Sequence, residues 1–362
     1  MSIDFDCPHI LVTGGAGFVG ARLAIRLKEF LPELRVTAFD NLRRRGSEMN
    51  IAKLNQAGVV FHHGDVRNYS DLAEIGPVGL IVECSAEPSI LSGYENSPNY
   101  VIDCNLVGSL NCLELAQRNA AGLIFLSTSR VYSIKALQRL AYENTPTRYE
   151  LADEQTTTGA SRHGISTDFP LNGPRSIYGA TKLAAEIMAI EYADAYSIPV
   201  VVNRCGVIAG PGQFGKADQG VFSQWLLCHY FNRPLSYIGW GGSGKQVRDI
   251  LHVDDLADLI ILQVQSTRSY SGMTFNAGGG HDFALSLLEA TQLCQSITGN
   301  SIPIAPFPDS RRSDVPVYIT DNRAITQTTG WKPGRPPAQV LTELYEWVRD
   351  NEDQIRSLPI SR

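Results

Sequence analysis

The sequence is 362 residues long, 43% hydrophobic and 19% charged, which supplies enough apolar surface for a sizeable core. At about 150 residues per domain, that length corresponds to roughly two domains, or to one large domain with a lobe. Lys and Arg total 31 against 37 Asp and Glu, and the resulting formal charge of −6 argues against a dedicated surface for nucleic acid or for an anionic membrane.

In chain order, residues 9–13, 35–40, 58–62, 79–84 and 122–127 have the apolar character of strands. Residues 18–30, 43–57 and 98–119 have the length and pattern of the helices between them. This alternation predicts an α/β fold of βαβ units around a parallel sheet, with helices on both faces. Residues 80–84 and 123–126 are nearly all apolar, as strands covered on both sides are. Residues 133–175 are polar and turn-rich without a sustained period, and a segment of that length inside a domain is usually functional. A helix over 176–196 and a strand over 200–204 follow. Beyond about residue 205, Gly, Pro and aromatic residues become frequent, as in a smaller lobe of short elements.

The seven cysteines include no C-x-x-C pair and their number is odd, which suits a reduced compartment better than a disulfide framework. Cys104, Cys112, His62 and His63 read as structural. None of the seven histidines has H-x-x-x-H or H-E-x-x-H spacing, so no metal is expected. No apolar run approaches the roughly 18 residues of a membrane span, and Asp4 and Asp6 lead into the first strand, unlike a signal peptide. The expected location is the cytoplasm.

Directly after the first strand stands Thr13-Gly14-Gly15-Ala16-Gly17-Phe18-Val19-Gly20, which opens a helix. It satisfies G-x-G-x-x-G from Gly15 and G-x-x-G-x-x-G from Gly14. Such glycines allow a tight turn and let a pyrophosphate approach the helix N-terminus. Asp40 closes the second strand 20 residues after Gly20, where a carboxylate can bond an adenosine ribose hydroxyl. The expected fold is therefore a Rossmann-type doubly wound sheet binding NAD through Gly14, Gly17, Phe18, Val19, Gly20, Asp40 and Asn41. Asp40 favours NAD over NADP, whereas Arg43, Arg44 and Arg45 could receive a 2′-phosphate and leave that choice open. Asp65, with Val66 beside it, is a candidate for the adenine edge, a turn-forming Gly-Asp being the plain alternative. The expected organisation is an NAD-binding domain over 1–205, including the irregular active-site segment 133–175. A smaller C-terminal substrate-binding lobe over 206–362 interleaves with it.

Of the fourteen tyrosines, only Tyr178 has a lysine four residues on, Lys182. On a helix that spacing puts both side chains on one face. A phenol with an ordinary pKa of about 10 becomes a usable base when an ammonium stabilises its phenolate. It can then take the proton of a hydroxyl group while hydride leaves the same carbon.

The glycine turn, Tyr178 and Lys182, and Ser127-Thr128-Ser129-Arg130-Val131-Tyr132 together resemble the extended short-chain dehydrogenase/reductases that act on nucleotide sugars. Arg248-Asp249-Ile250-Leu251-His252-Val253-Asp254-Asp255 and Arg311-Arg312-Ser313-Asp314 match as well, so the likeness runs from about residue 9 to about 335. The resemblance implies that Thr128 completes a triad with Tyr178 and Lys182, and that Arg248 and Arg311 grip a diphosphate, for which a planar guanidinium is suited. It also implies cofactor contacts from Ser85 and Ala86, in a stretch where the family's His-x-Ala-Ala reads Cys84-Ser85-Ala86-Glu87. An Asn common in the family is Val207 here, which weakens any carry-over at that strand end. Dehydratases of the family carry an acid pair after the Thr; Ser129 and Arg130 stand there instead.

Within the family, Asp40-Asn41-Leu42-Arg43-Arg44-Arg45-Gly46, Thr147-Arg148-Tyr149, Gln213-Phe214, Asp218-Gln219-Gly220 and Gly244-Lys245-Gln246-Val247 are similar to the CDP-paratose 2-epimerase subfamily. That likeness implies an NAD-dependent isomerase inverting C2 of a CDP-sugar by transient oxidation and hydride return. Arg130, Gln213, Gln219, Arg248 and Arg311 are then the substrate contacts, with Arg148 and Tyr149 as further candidates. A UDP-sugar 4-epimerase with the same triad is the alternative. A dehydratase is disfavoured by Ser129 and Arg130, and a reductase by Asp40. A non-catalytic NAD-binding protein would not need the three triad residues together. The helices over 98–119 and 176–196 correspond to those that form dimers in the family, so a homodimer is expected, with Asn105 on the first of them a further candidate for the site.

Overall fold

The computed structural model describes residues 3–94, 97–215 and 219–357, which fall into two compact units interleaved along the chain. The first lies within 1–131, 177–204 and 256–275; the second lies within 132–176, 205–255 and 276–362.

The first unit is built on a seven-stranded sheet. Its strands are β1 (His9–Thr13), β2 (Arg35–Asp40), β3 (Val60–His63), β4 (Leu80–Glu83), β5 (Gly122–Thr128), β6 (Val200–Cys205) and β7 (Met273–Ala277), in the spatial order β7-β6-β5-β4-β1-β2-β3. β1 pairs in parallel with β2 and β4, β2 with β3, and β4 with β5. β1, β4, β5 and β6 are buried along their whole length, which requires cover on both faces and explains the apolar runs at 10–12, 80–82, 123–126 and 200–202. Leu11, Ile81, Leu123, Phe125, Val200 and Val202 of these strands pack with Cys112, Leu113 and Ala116 of the Gly108–Asn119 helix and with Ala185 and Ala189 of the Ile177–Tyr196 helix. The expected doubly wound Rossmann-type sheet is the architecture observed.

Where the structure departs from the sequence reading, local hydrogen bonds or short elements account for the difference. The helix expected over 43–57 begins only at Met49. The carboxylate of Asp40 accepts from the Leu42 N–H (2.8 Å) and the Asn41 side chain from the Arg43 N–H (3.0 Å), which holds the chain in turns ahead of the helix. The helix expected over 98–119 relaxes into a π-turn at Asp103–Val107, between Asn99–Ile102 and Gly108–Asn119. A short helix at Tyr69–Ala73, unforeseen from sequence, is capped by Asn68. Residues 133–175 are not simply irregular. They contain a helix (Ile134–Leu137) and two hairpins, Tyr142–Asn144 with Tyr149–Leu151 and Ala160–Ser161 with Gly164–Ile165.

In the second unit, Val247–His252 pairs in parallel with Val207–Ala209 and Val317–Tyr318 and antiparallel with Ala284–Ser286. The helices Val221–Tyr230, Leu287–Thr298 and Pro337–Asp350 enclose a core that includes Phe222, Trp225, Leu226, Ala290, Leu341 and Leu344. Ser286 caps the middle helix in a reciprocal box with Glu289. Among the described residues no helix is long and apolar enough to cross a membrane.

Among the described residues of the first unit two ion pairs are buried, Lys182 with Glu83 and Arg204 with Glu186. The Arg204 guanidinium on β6 forks onto Glu186 of the Ile177–Tyr196 helix (Nη2 to Oε2 2.8 Å, Nε to Oε2 3.1 Å), and the Ser127 hydroxyl on β5 donates to the same carboxylate. Removing one partner strands a charge in the core. Arg204→Met is expected to lower unfolding stability by about 3–5 kcal/mol in urea titration, with the Glu186→Gln/Arg204→Met double variant recovering most of that loss.

Candidate functional site

The glycine turn is shaped by close backbone approaches. Gly14 adopts φ 62°, and a Cβ on Gly20 would stand 2.2 Å from the Gly14 carbonyl oxygen. The Gly17 N–H donates to that same oxygen at 3.0 Å, closing the turn under the first residues of the Phe18–Phe30 helix. Phe18 and Val19 are half-buried in its first turn. No side chain tops the helix start, so its amides are open to an anion.

Asp40 sits at the end of β2, beside this turn. Its Oδ2 accepts from the Ala16 N–H at 3.1 Å, and burial pushes its carboxyl up against the opposing pull of backbone amides. Asn41 donates to Asp65 Oδ2 at 3.0 Å, which joins the ends of β2 and β3. Partial burial works against the Asp65 carboxylate, but the Arg67 fork (2.7 Å from Nη2 to Oδ2) and Asn41 outweigh it and hold its pKa down at about 2. Val66 packs on Gly108, whose Cβ would meet Val66 Cγ2 at 2.7 Å. Arg43 does not approach Asp40 as a phosphate-binding group would: its guanidinium lies 3.9 Å above the Tyr100 ring.

Thr128, Tyr178 and Lys182 come together in the first unit. Thr128 ends β5, buried, and its Oγ1 accepts from the Arg130 N–H at 3.2 Å within the tight turn Ser129–Val131. Tyr178 and Lys182 lie one turn apart on the Ile177–Tyr196 helix, Tyr178 half-buried and Lys182 1% exposed. Gly179 seats this helix on that turn, since a Cβ there would be 2.1 Å from the Arg130 carbonyl oxygen. Lys182 Nζ lies 3.4 Å from Glu83 Oε2 and 3.9 Å from the Phe125 ring centroid. Ser85 is buried and Ala86 half-buried just past β4. Asn105, fully buried in the π-turn, accepts from the Glu87 N–H at 2.7 Å and donates to the Thr181 hydroxyl at 3.3 Å. It therefore ties the segment after β4 to the helix of Tyr178 and Lys182.

The remaining candidates lie in the second unit, Arg130 excepted. Arg248 Nη2 pairs with Asp314 Oδ1 at 2.9 Å, and the Asp314 N–H returns to the Arg311 carbonyl at 3.2 Å, so Arg248 is held to the turn that begins at Arg311. Asp249 is fully buried and accepts from the Gly280 N–H at 3.0 Å, a tie within the fold. Gln213 is turned inward: it donates to the Ile208 carbonyl at 2.9 Å and accepts from the Ser223 hydroxyl. Gln219 is half-buried beside residues 216–218, which lie outside the described residues together with Asp218. Arg148 is engaged by Glu289 through two bonds of 2.8 and 2.7 Å, an anchor of the Tyr149–Leu151 hairpin to the Leu287–Thr298 helix. The Tyr149 hydroxyl donates to the Trp240 carbonyl at 3.3 Å. Glu83, Glu186 and Arg204 were not singled out from sequence. A carboxylate closing the otherwise apolar run Leu80–Glu83 was the available signal for the first.

The family model described as "NAD dependent epimerase/dehydratase family" matches residues 10–278. The chain is similar to CDP-paratose 2-epimerase of Salmonella typhi, with 29% identity over 94% of this chain and 98% of that one. It is also similar to dTDP-glucose 4,6-dehydratase of Streptomyces antibioticus, with 26% identity over 95% of this chain and 93% of that one. The crystal structure of UDP-glucuronic acid 4-epimerase from Bacillus cereus, in complex with UDP-glucuronic acid and NAD, matches with a TM-score of 0.77. That match covers 94% of this chain and 99% of the other at 21% identity, a likeness of fold.

Alanine in place of a helix glycine ordinarily stabilises by about 1 kcal/mol. At Gly179 the sign reverses, because the added methyl meets the Arg130 carbonyl. Gly179→Ala is expected to cost about 1–3 kcal/mol in denaturant unfolding.

Proposed function

Because the chain belongs to the NAD dependent epimerase/dehydratase family, we propose that it is an isomerase that epimerises a nucleotide-activated sugar, at C2 of a CDP-sugar. NAD is its cofactor, and the residues present fit it. The Gly14–Gly20 turn closes backbone on backbone, a Cβ at Gly20 standing 2.2 Å from the Gly14 carbonyl oxygen, and it leaves the helix start without a side-chain cap, where a pyrophosphate is favoured. Asp40 and Asn41 close β2 beside the turn, and Arg43 is drawn off onto Tyr100, which favours an unphosphorylated ribose. When bound, NAD supplies the acceptor and donor of hydride.

The chain's own residues supply the proton chemistry. Tyr178 takes the proton of a sugar hydroxyl, Thr128 shares the hydrogen bond to that oxygen, and the positive charge of Lys182 one helical turn away favours the phenolate so formed. Were hydride removed from the carbon bearing that oxygen and returned to the other face of the trigonal carbonyl carbon, with Tyr178 giving its proton back to the oxygen, the carbon would be inverted with no net redox change. Arg130, Arg248 and Arg311 are the proposed cationic contacts of the nucleotide sugar. Arg248 is anchored by Asp314 to the turn that begins at Arg311, which supports a joint role of the two arginines on a diphosphate. Gln213, satisfied inside its own unit, is better suited to shaping that wall than to touching substrate.

The observation that carries the epimerase reading over dehydration is the turn after Thr128. Elimination of water needs an acid to protonate the departing hydroxyl, and Ser129 and Arg130 bear no carboxyl. The similarity to a CDP-paratose 2-epimerase supports the nucleotide and the carbon. The test is incubation of purified protein, without added reductant, with CDP-paratose, CDP-glucose and UDP-glucose separately, products being read by proton NMR and mass. A C2-inverted CDP-sugar of unchanged mass is expected, with Tyr178→Phe slowing its formation by about 100-fold or more. C4 inversion of UDP-glucose would move the enzyme to the 4-epimerases, and loss of water would refute the argument from Ser129 and Arg130.

We also propose a homodimer through the first unit. Ile102 (36% exposed) and Val107 (37%) on one helical stretch, and Ile187 (54%) and Ile190 (43%) on the Ile177–Tyr196 helix, are large apolar side chains facing water. Light scattering is expected to give twice the chain mass, and Ile187→Asp/Ile190→Asp a monomer of the same fold.

A further inference from the structure

The deepest charge in the first unit lies at the base of the Tyr178–Lys182 pair. Glu83 ends β4 with no exposed surface and Lys182 is 1% exposed, with Nζ and Oε2 at 3.4 Å. Glu83 Oε1 has no hydrogen-bond partner among the described residues. A buried acceptor left unsatisfied costs about 1–3 kcal/mol, and an apolar residue would suit a strand covered on both faces better. The carboxylate is therefore retained at a cost, directly against a lysine, and packing offers no return for it.

We propose that Glu83 is a positioning residue for Lys182: as the buried counter-charge, it keeps the ammonium charged and seated so that Lys182 can assist Tyr178. A lysine removed from water and lacking an anion beside it gives up its proton readily. The Phe125 face, 3.9 Å from Nζ, adds attraction without accepting a proton. Among the described residues, no other group facing the pair takes the place of Glu83. Burial pushes the Cys104 thiol up to about 12 and that of Cys112 well above its ordinary value, so both stay neutral. On the lysine's own helix, Glu186 is taken up by Arg204 and Ser127, and Tyr178 is the group to be served. Burial pushes the Glu83 carboxyl up while Lys182 draws it down, the pattern of two groups whose charges depend on each other.

The inference rests on the role proposed above for Lys182, but its test uses neither substrate nor turnover. In protein labelled with 13C and 15N at lysine, the Lys182 ammonium is titrated by NMR and assigned by its absence in Lys182→Arg. The Tyr178 phenolate is titrated by ultraviolet difference against Tyr178→Phe. Glu83→Gln, nearly isosteric, is expected to lower the Lys182 titration by about one pH unit or more and to raise that of Tyr178, with Glu83→Asp falling between. Matching thermal unfolding curves for the Asp and Gln variants separate this effect from loss of fold. A Lys182 titration that stays put, or a Tyr178 phenolate that does not move up with it, overturns the assignment while leaving the epimerase reading to its own product assay.

Discussion

Backbone has to touch backbone at the carboxyl edge of the large sheet, and the first unit is organised around that requirement. At Gly20 the Phe18–Phe30 helix lies on the Gly14 carbonyl, and at Gly179 the Ile177–Tyr196 helix lies on the Arg130 carbonyl. In both places a single methyl group would hold the helix off. The first approach opens a helix start to an anion. The second brings the turn after Thr128 against the helix of Tyr178 and Lys182. Everything chemical in this unit is held by helices that are allowed unusually near to strand ends.

The interior behind those strand ends is less apolar than its composition suggests. Glu186, Arg204 and Ser127 form one buried polar group, Lys182 and Glu83 another, and Asn203 with Gln263 exchange two amide bonds of 2.7 and 2.9 Å. Each joins a strand to a helix. Hydrophobic contacts are tolerant of sliding, whereas a forked guanidinium or a paired amide is satisfied in one register only. The first two fix where the Ile177–Tyr196 helix sits against β4, β5 and β6, and the third ties β6 to the Val253–Gln265 helix.

How much was legible in the sequence depended on the range of the interactions involved. β1, β2 and the Phe18–Phe30 helix fall where periodicity and the glycine turn place them, because their determinants are local. The start at Met49 and the π-turn at Asp103–Val107 were not legible, since side-chain bonds from Asp40 and Asn41 and the packing of Val66 on Gly108 decide them. The hairpins within 133–175 have strands of two or three residues, too short for alternation to register. In the site, Tyr178 and Lys182 declared themselves by helical spacing and Thr128 by resemblance. Arg148, a further candidate for the substrate, forks onto Glu289 from 141 residues away, a pairing no local pattern reveals. Glu83 stands out locally as a carboxylate closing an apolar run, but its pairing with Lys182, 99 residues away, is a product of the fold.

The path of the chain has a consequence for how the protein is made. It leaves the first unit after residue 131, returns at 177, leaves again after 204 and comes back for 256–275. On a ribosome, β5 emerges with an edge that waits for β6, and at about 5–20 residues per second that wait lasts on the order of several seconds. During it, an apolar strand, Gly122–Thr128, has unpaired amides and carbonyls along one side, the arrangement most prone to pairing with a neighbouring chain. The last strand, β7, arrives later still. Until residue 277 has emerged, the sheet of the first unit is incomplete on that side.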